Sequence, residues 1–254
     1  MKIRIKIVIF YLSSLLLAII FVMSLKNIII WLRDNNNTKK MIDKISDNTT
    51  INIVDENNQE QTTDKLIDID FEKLKEMNSD VIGYIIVNNT NIDYPVVKTD
   101  NNDFYLNHSF DRSYNKAGWV FMDYRNSNEE FDTNTIIYAH GRLDNTMFGS
   151  LRNVIKKSWY KNQENYIVNY SNDYYNTMWQ VFSVYKIKTT DDYLKINFSN
   201  KEQQQKFINL IKNRSIYDFK IDVTLDDKII TLSSCYDDLN KVVLHAKLIK
   251  YKKK

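Results

Sequence analysis

The hydrophobic pattern divides the chain into three unequal parts. Ile7 to Leu25 supply nineteen consecutive positions without a charge, close to the ~20 apolar residues a helix needs to cross a bilayer. Lys2, Arg4 and Lys6 stand immediately before this run. Basic residues favour the cytoplasmic side, so the pattern predicts one span, N-terminus inside, with everything after Leu25 outside the cell membrane. The run exceeds a secretory h-region and no small-x-small site follows it, which reads as an uncleaved signal anchor rather than a removed leader. Ile28 to Leu32 carry the apolar character past Lys26, with Trp31 placed for headgroup depth.

Residues 34–66 are rich in Asn, Asp, Thr and Gln and hold too few apolar positions to bury a face. They are expected to form a polar extracellular tether between an anchor segment, 1–33, and a folded domain, 67–254, with Met41, Ile42 and Ile45 offering one amphipathic turn. In the domain, Val81 to Val87, Ile92 to Val97, Val120 to Met122, Thr135 to Ala139, Tyr166 to Asn169, Trp179 to Lys188, Lys228 to Ser233 and Val242 to Lys250 read as strands. Helices are expected after Asp70 with Phe71, Leu74 and Met77 inward, over Met147 to Lys156, and over Glu202 to Lys212. The domain is therefore mainly β with peripheral helices, and so many short strands favour a closed or half-closed barrel. Pro95, the single proline, belongs at an edge or a strand end.

Charge refines this picture. Of 35 basic residues, Lys2, Arg4, Lys6, Lys26 and Arg33 flank the anchor, leaving 30 against 32 acidic ones elsewhere. That balance lacks the concentrated basic face of a nucleic-acid binder.

Cys235, the only cysteine, closes the apolar run Ile229 to Leu232 just where it turns polar. A lone thiol makes no internal disulfide; it is either packed inertly, the commoner fate, or used as a nucleophile. Three histidines could partner it. His140 ends the strand-like Ile136-Ile137-Tyr138-Ala139 and opens a loop, so it is presented as Cys235 is. His108 lies in a polar loop where a solvated side chain is the default, and His245 lies within a strand as a structural or surface residue.

The segments around the pair are more specific. Asn134 to His140 followed by Asp144-Asn145-Thr146-Met147-Phe148-Gly149, and Thr231-Leu232-Ser233-Ser234-Cys235, resemble the histidine and cysteine strands of the class B sortases. Asn91 to Val97, Asp103 to Asn107, Val120 to Asn126 and Val242 to Ile249 extend the resemblance, in order, from about residue 70 to the end. It implies an eight-stranded sortase barrel with extra N-terminal helices and a helix before the cysteine strand, acting as a membrane-anchored cysteine transpeptidase of Gram-positive bacteria without metal or organic cofactor.

On that resemblance Cys235 attacks a C-terminal sorting signal of exported surface proteins, and His140 serves as acid and base. An amine of a peptidoglycan precursor of the lipid II type then resolves the thioacyl-enzyme. The family arginine early in the last strand falls on Lys241, which keeps the charge but loses the bidentate fork; a solvated Lys241 with Arg142 or Arg125 entering the groove is the other possibility. Ser234 replaces the usual threonine, and Ala139 the usual glycine. Asn102, Leu106, Tyr138, Thr189, Tyr193, Leu194, Ser233 and Ser234 fall on sorting-signal contacts of the family. Two other functions stay open: a Cys/His hydrolase of peptidoglycan or protein, and a catalytically impaired wall-binding domain.

Overall fold

The computed structural model describes residues 2–54 and 65–254. Its centre is a closed barrel of eight strands, each at a position the alternation of apolar residues predicts. These are β3 (Val81–Val87), β4 (Asp93–Val97), β5 (Phe121–Met122), β6 (Asn134–Ala139), β7 (Ile167–Asn172), β8 (Tyr175–Lys188), β9 (Ile229–Cys235) and β10 (Asn240–Lys253). Around the ring the order is β10, β8, β7, β3, β4, β5, β6, β9. Two junctions, β4 with β5 and β6 with β9, are parallel; the others are antiparallel. Inward residues such as Ile85, Val96, Ile137, Val168, Val181, Leu232 and Leu244 are fully buried.

Pro95 stands inside β4 rather than at its end, opposite Tyr84 of β3. Val97 donates its N–H to Val120 on the β5 side, and alternation along the strand turns the Pro95 nitrogen the same way. The two-residue β5 pairs only at Val97, so no ladder bond is lost.

Helix α4 (Lys201–Asn213) is capped by the Asn200 side chain, which accepts from Gln203 N at 2.9 Å. Its Phe207, Ile208 and Ile211 pack on Phe182, Tyr185, Tyr193 and Val243 outside the barrel. The helix expected over Met147 to Lys156 is instead a short 3₁₀ segment, Gly149–Asn153, followed by the four-residue α3 (Lys157–Tyr160). Met147 has φ 51°, outside the right-handed helical region, and Phe148 N is tied to His140 O at 3.0 Å.

The expected tether is corrected more substantially. Helix α1 runs without interruption from Lys2 to Asn48, and its last four turns lie against the barrel. Asn115 Nδ2 donates to Asp34 O at 3.2 Å and to Thr38 Oγ1 at 3.1 Å, Arg142 binds Asn35 Oδ1, and Ile45 enters the core with Met41 and Ile42 beside it. Beyond it, β1 (Thr50–Val54) pairs antiparallel with β2 (Leu66–Asp70), burying Leu66, Ile67 and Ile69. Residues 34–48 satisfy their contacts largely with polar atoms, which is why composition alone suggested a free linker. The middle of the expected tether, 55–64, lies outside the described residues. Helix α2 (Glu72–Met77) follows, with Asp70 Oδ1 accepting from Glu72 N at 3.0 Å and Leu74 buried.

Candidate active site

Parallel pairing of β6 with β9 sets Ala139 beside Ser234, so both strands leave the barrel at one end. The next residue of each is His140 and Cys235. Antiparallel pairing of β9 with β10 puts Lys241 directly opposite Cys235, and opposed residues share a face. Lys241 Nζ accordingly donates to Cys235 Sγ at 2.9 Å. Ser234 Oγ donates to Ala139 O at 2.9 Å and fixes the register of the two site strands; the hydroxyl retained there is used.

Glycine is required at two points around the pair. A Cβ on Gly141 would lie 1.7 Å from the Cys235 carbonyl oxygen, so the loop can cross the cysteine only without a side chain. Gly118 has φ +63°, and a Cβ there would reach 2.6 Å from Tyr105 O and 3.0 Å from the His140 ring. The same loop orients the imidazole. His140 Nε2–H donates to Leu106 O at 2.6 Å, which leaves Nδ1 for the thiol. That carbonyl is held by the turn Phe104–Leu106, itself tied down at Tyr105, whose hydroxyl donates to Asp80 at 2.7 Å and accepts from Asn78 Nδ2 at 2.8 Å.

Electrostatics follow from these contacts. The hydrogen bond with His140 lowers the Cys235 thiol most; half-burial pushes it back up; Lys241 lowers it again, and it ends at about 7 against an ordinary 9.0. His140 moves the opposite way, raised by its bond to Cys235 and by the Leu106 carbonyl against the opposing effect of burial. Each partner thus favours the charged form of the other.

The pair lies in a groove of about 560 Å³. Asn102, Leu106, Tyr138, Thr189, Tyr193, Leu194, Ser233 and Ser234 all line it, together with Cys235, His140 and Lys241. Tyr193 is 1 % exposed and binds Ser233 Oγ through its hydroxyl at 2.8 Å, so it forms the wall more than the opening. Ala139, named above only as a replacement for glycine, also lines the groove, as do Asp103, Phe121, Thr190 and Asp191, which sequence reasoning passed over although each adjoins a residue it singled out or lies in a strand it placed.

Neither alternative arginine is in the groove lining. Arg125 makes two 2.8 Å bonds to Asp123 and one of 3.2 Å to Leu194 O; Arg142 binds Asp144, Thr146 and Asn35. Burial alone would raise the Asp123 carboxyl, but hydrogen bonds from Arg125 and Tyr138 outweigh it and hold Asp123 below the usual carboxylate range. It also accepts from Asn102 at 3.1 Å, joining three parts of the groove wall. His108 is not solvated: it stacks on Phe104 with ring centres 4.0 Å apart and bonds Phe104 O. His245 is fully buried between Thr231 and Tyr185.

A closed mixed barrel that delivers a thiol, an imidazole and an ammonium to one groove defines a cysteine transpeptidase of the sortase type. Residues 85–249 match the model of the sortase domain, and the chain belongs to the sortase family. Sortase B of Staphylococcus aureus is 38 % identical over 184 residues, 71 % of this chain and 75 % of that protein. Sortase B of Listeria monocytogenes is 32 % identical over 180 residues, 69 % and 72 % of the two chains. The S. aureus sortase B–substrate complex superposes with a TM-score of 0.66 over 71 % of this chain and 84 % of that one, at 38 % identity. Class B is therefore the branch concerned, whose enzymes attach surface proteins to the cell wall.

Proposed function

We propose that Cys235, His140 and Lys241 carry out the transfer, and that the substrate is an extended C-terminal sorting signal lying in the groove. The Cys235 thiolate attacks the scissile carbonyl; the C–S bond forms, the C–N bond breaks, and the leaving amine takes a proton from the His140 imidazolium. A peptidoglycan precursor amine then attacks the thioester and gives its proton to His140. A new C–N bond forms, and the C–S bond breaks to regenerate the thiolate. Lys241 acts as a point charge at the thiolate and the developing oxyanion, without the two-pronged grip of an arginine.

Asn102, Leu106, Tyr138, Thr189, Leu194, Ser233 and Ser234 would receive the peptide, with Tyr193 bracing Ser233. The apolar half of α1 is long enough to cross a bilayer, and with Lys2, Arg4 and Lys6 before it we place the N-terminus in the cytoplasm and the catalytic domain outside. The strongest support is the convergence of the Lys241–Cys235 contact and the His140–Cys235 bond at the floor of one groove.

The test uses the full chain in detergent with a fluorogenic sorting-signal peptide, with and without triglycine as acceptor, read by product analysis and intact mass. A thioacyl adduct, acceptor-dependent product and loss of both in Cys235→Ala are expected. Cleavage by water alone in the presence of triglycine would indicate a hydrolase, and absence of any adduct a non-catalytic domain.

A further inference from the structure

The direction in which α1 crosses the barrel carries information about the groove. Along the docked part of the helix, Asn35 meets Arg142, two residues beyond His140, whereas the strand that directly follows the helix pairs Ile51 with Ile69, whose carbonyl accepts from Lys254 Nζ at 3.2 Å. Lys254 follows the last residue of β10, the strand whose other end sets Lys241 opposite Cys235. The helix therefore enters at the catalytic end of the barrel and runs toward the opposite one.

Its approach is short. At 1.5 Å per residue, Asn35 stands about 15 Å past Leu25 and about 5 Å past Leu32. Between them Ile28, Ile29, Trp31 and Leu32 remain more than half exposed, continuing the apolar surface of the span up to the domain. The loop that grips Asn35 through Arg142 carries Leu143, whose side chain is 86 % exposed, the most exposed of the large apolar residues described. It makes no packing contribution to the barrel.

We propose that the catalytic end of the barrel rests on the lipid surface, with Leu143 at headgroup depth and the Cys235 groove opening along the membrane face. This rests on the reading of α1 as a membrane anchor. The fixed strut leaves little clearance, so substrate and acceptor reach Cys235 from molecules held at the bilayer surface. An exposed apolar tip beside an interfacial helix then has a solvent suited to it.

Full-length protein carrying Cys235→Ala and Leu143→Cys, labelled with an environment-sensitive fluorophore, is reconstituted into phosphatidylcholine–phosphatidylglycerol vesicles containing a headgroup-nitroxide lipid. The reference is the same label at Asp226→Cys, an exposed position before β9 at the opposite end. Vesicle flotation is read first, then quenching. The expected result is flotation of both proteins, with the label at 143 quenched severalfold more than that at 226. Flotation with equal quenching, or with none at 143, overturns the proposal and leaves the anchor intact. The reverse ranking, with the lysines at 252–254 drawing the far end onto an anionic surface, overturns it as well. Failure to float removes the anchor reading and the proposal together. Circular dichroism of both labelled proteins establishes that the comparison is between folded molecules.

Discussion

At the thiol, two neighbours oppose burial, and their ranking makes their removal predictable. His140 contributes the larger lowering and Lys241 the smaller. Since each favours the charged form of Cys235, deleting either raises its titration midpoint from about 7 toward the free value of 9.0. Iodoacetamide alkylation against pH is expected to place the midpoint highest in His140→Ala, intermediate in Lys241→Ala and nearly unchanged in Lys241→Arg. Turnover in His140→Ala should fall by roughly 10² to 10⁴-fold, the usual contribution of a general acid or base. If Lys241→Ala shifts neither midpoint nor turnover, the ammonium is a bystander. Cys235 and His140 were visible in the sequence because each ends an apolar strand. The Leu106 carbonyl, Gly118 and Gly141 were not, because they act through backbone position and through space left empty, which residue type does not reveal.

Among the elements, strands were the most legible. Alternation located all eight barrel strands but cut several short, chiefly the last residues of β7, the first of β8 and both ends of β10, where tyrosines, serines, asparagines and lysines replace the aliphatic pattern. The docked half of α1 was hidden because its partners accept or donate hydrogen bonds: Asp34 offers a backbone carbonyl, Thr38 a hydroxyl, and Asn115 satisfies both. Thr38 Oγ1 itself donates to Asp34 O at 2.8 Å, so replacing Asn115 with alanine leaves the buried Thr38 oxygen without its donor, which is expected to cost about 1–3 kcal/mol, measured by urea unfolding of the full chain in detergent. Phe207→Ala in α4 removes a side chain only 3 % exposed and should cost about 3–5 kcal/mol in the same measurement. The first change should loosen α1 and the loop of Arg142; the second should leave them in place.

Over the whole molecule, the loss of stability that begins at the mildest acidity traces to His245, since the depressed carboxylates of Asp123, Asp144 and Asp192 respond only at lower pH. Thr231 Oγ1 spends its proton on Asn134 Oδ1 at 2.6 Å, so His245 Nδ1–H donates to that hydroxyl and Nε2 accepts from Tyr185 OH at 2.8 Å. Burial, with Arg214 nearby, depresses His245 to about 3 from 6.5. The unfolded chain therefore binds a proton below 6.5 that the folded one refuses, and stability falls as pH drops from about 6.5 toward 3. His245→Gln should flatten this part of the profile of thermal midpoint against pH, whatever it does to the midpoint at pH 8. The parallel junction of β6 with β9 has a consequence for a newly made chain. Ninety-five residues separate His140 from Cys235, and neither the imidazole nor the ammonium of Lys241 stands by the sulfur until the ring closes. An unfolded chain thus carries an ordinary, sluggish thiol. During refolding, rapid iodoacetamide alkylation near pH 7 should appear in step with barrel fluorescence and not before it, so the enzyme is chemically silent until it is built.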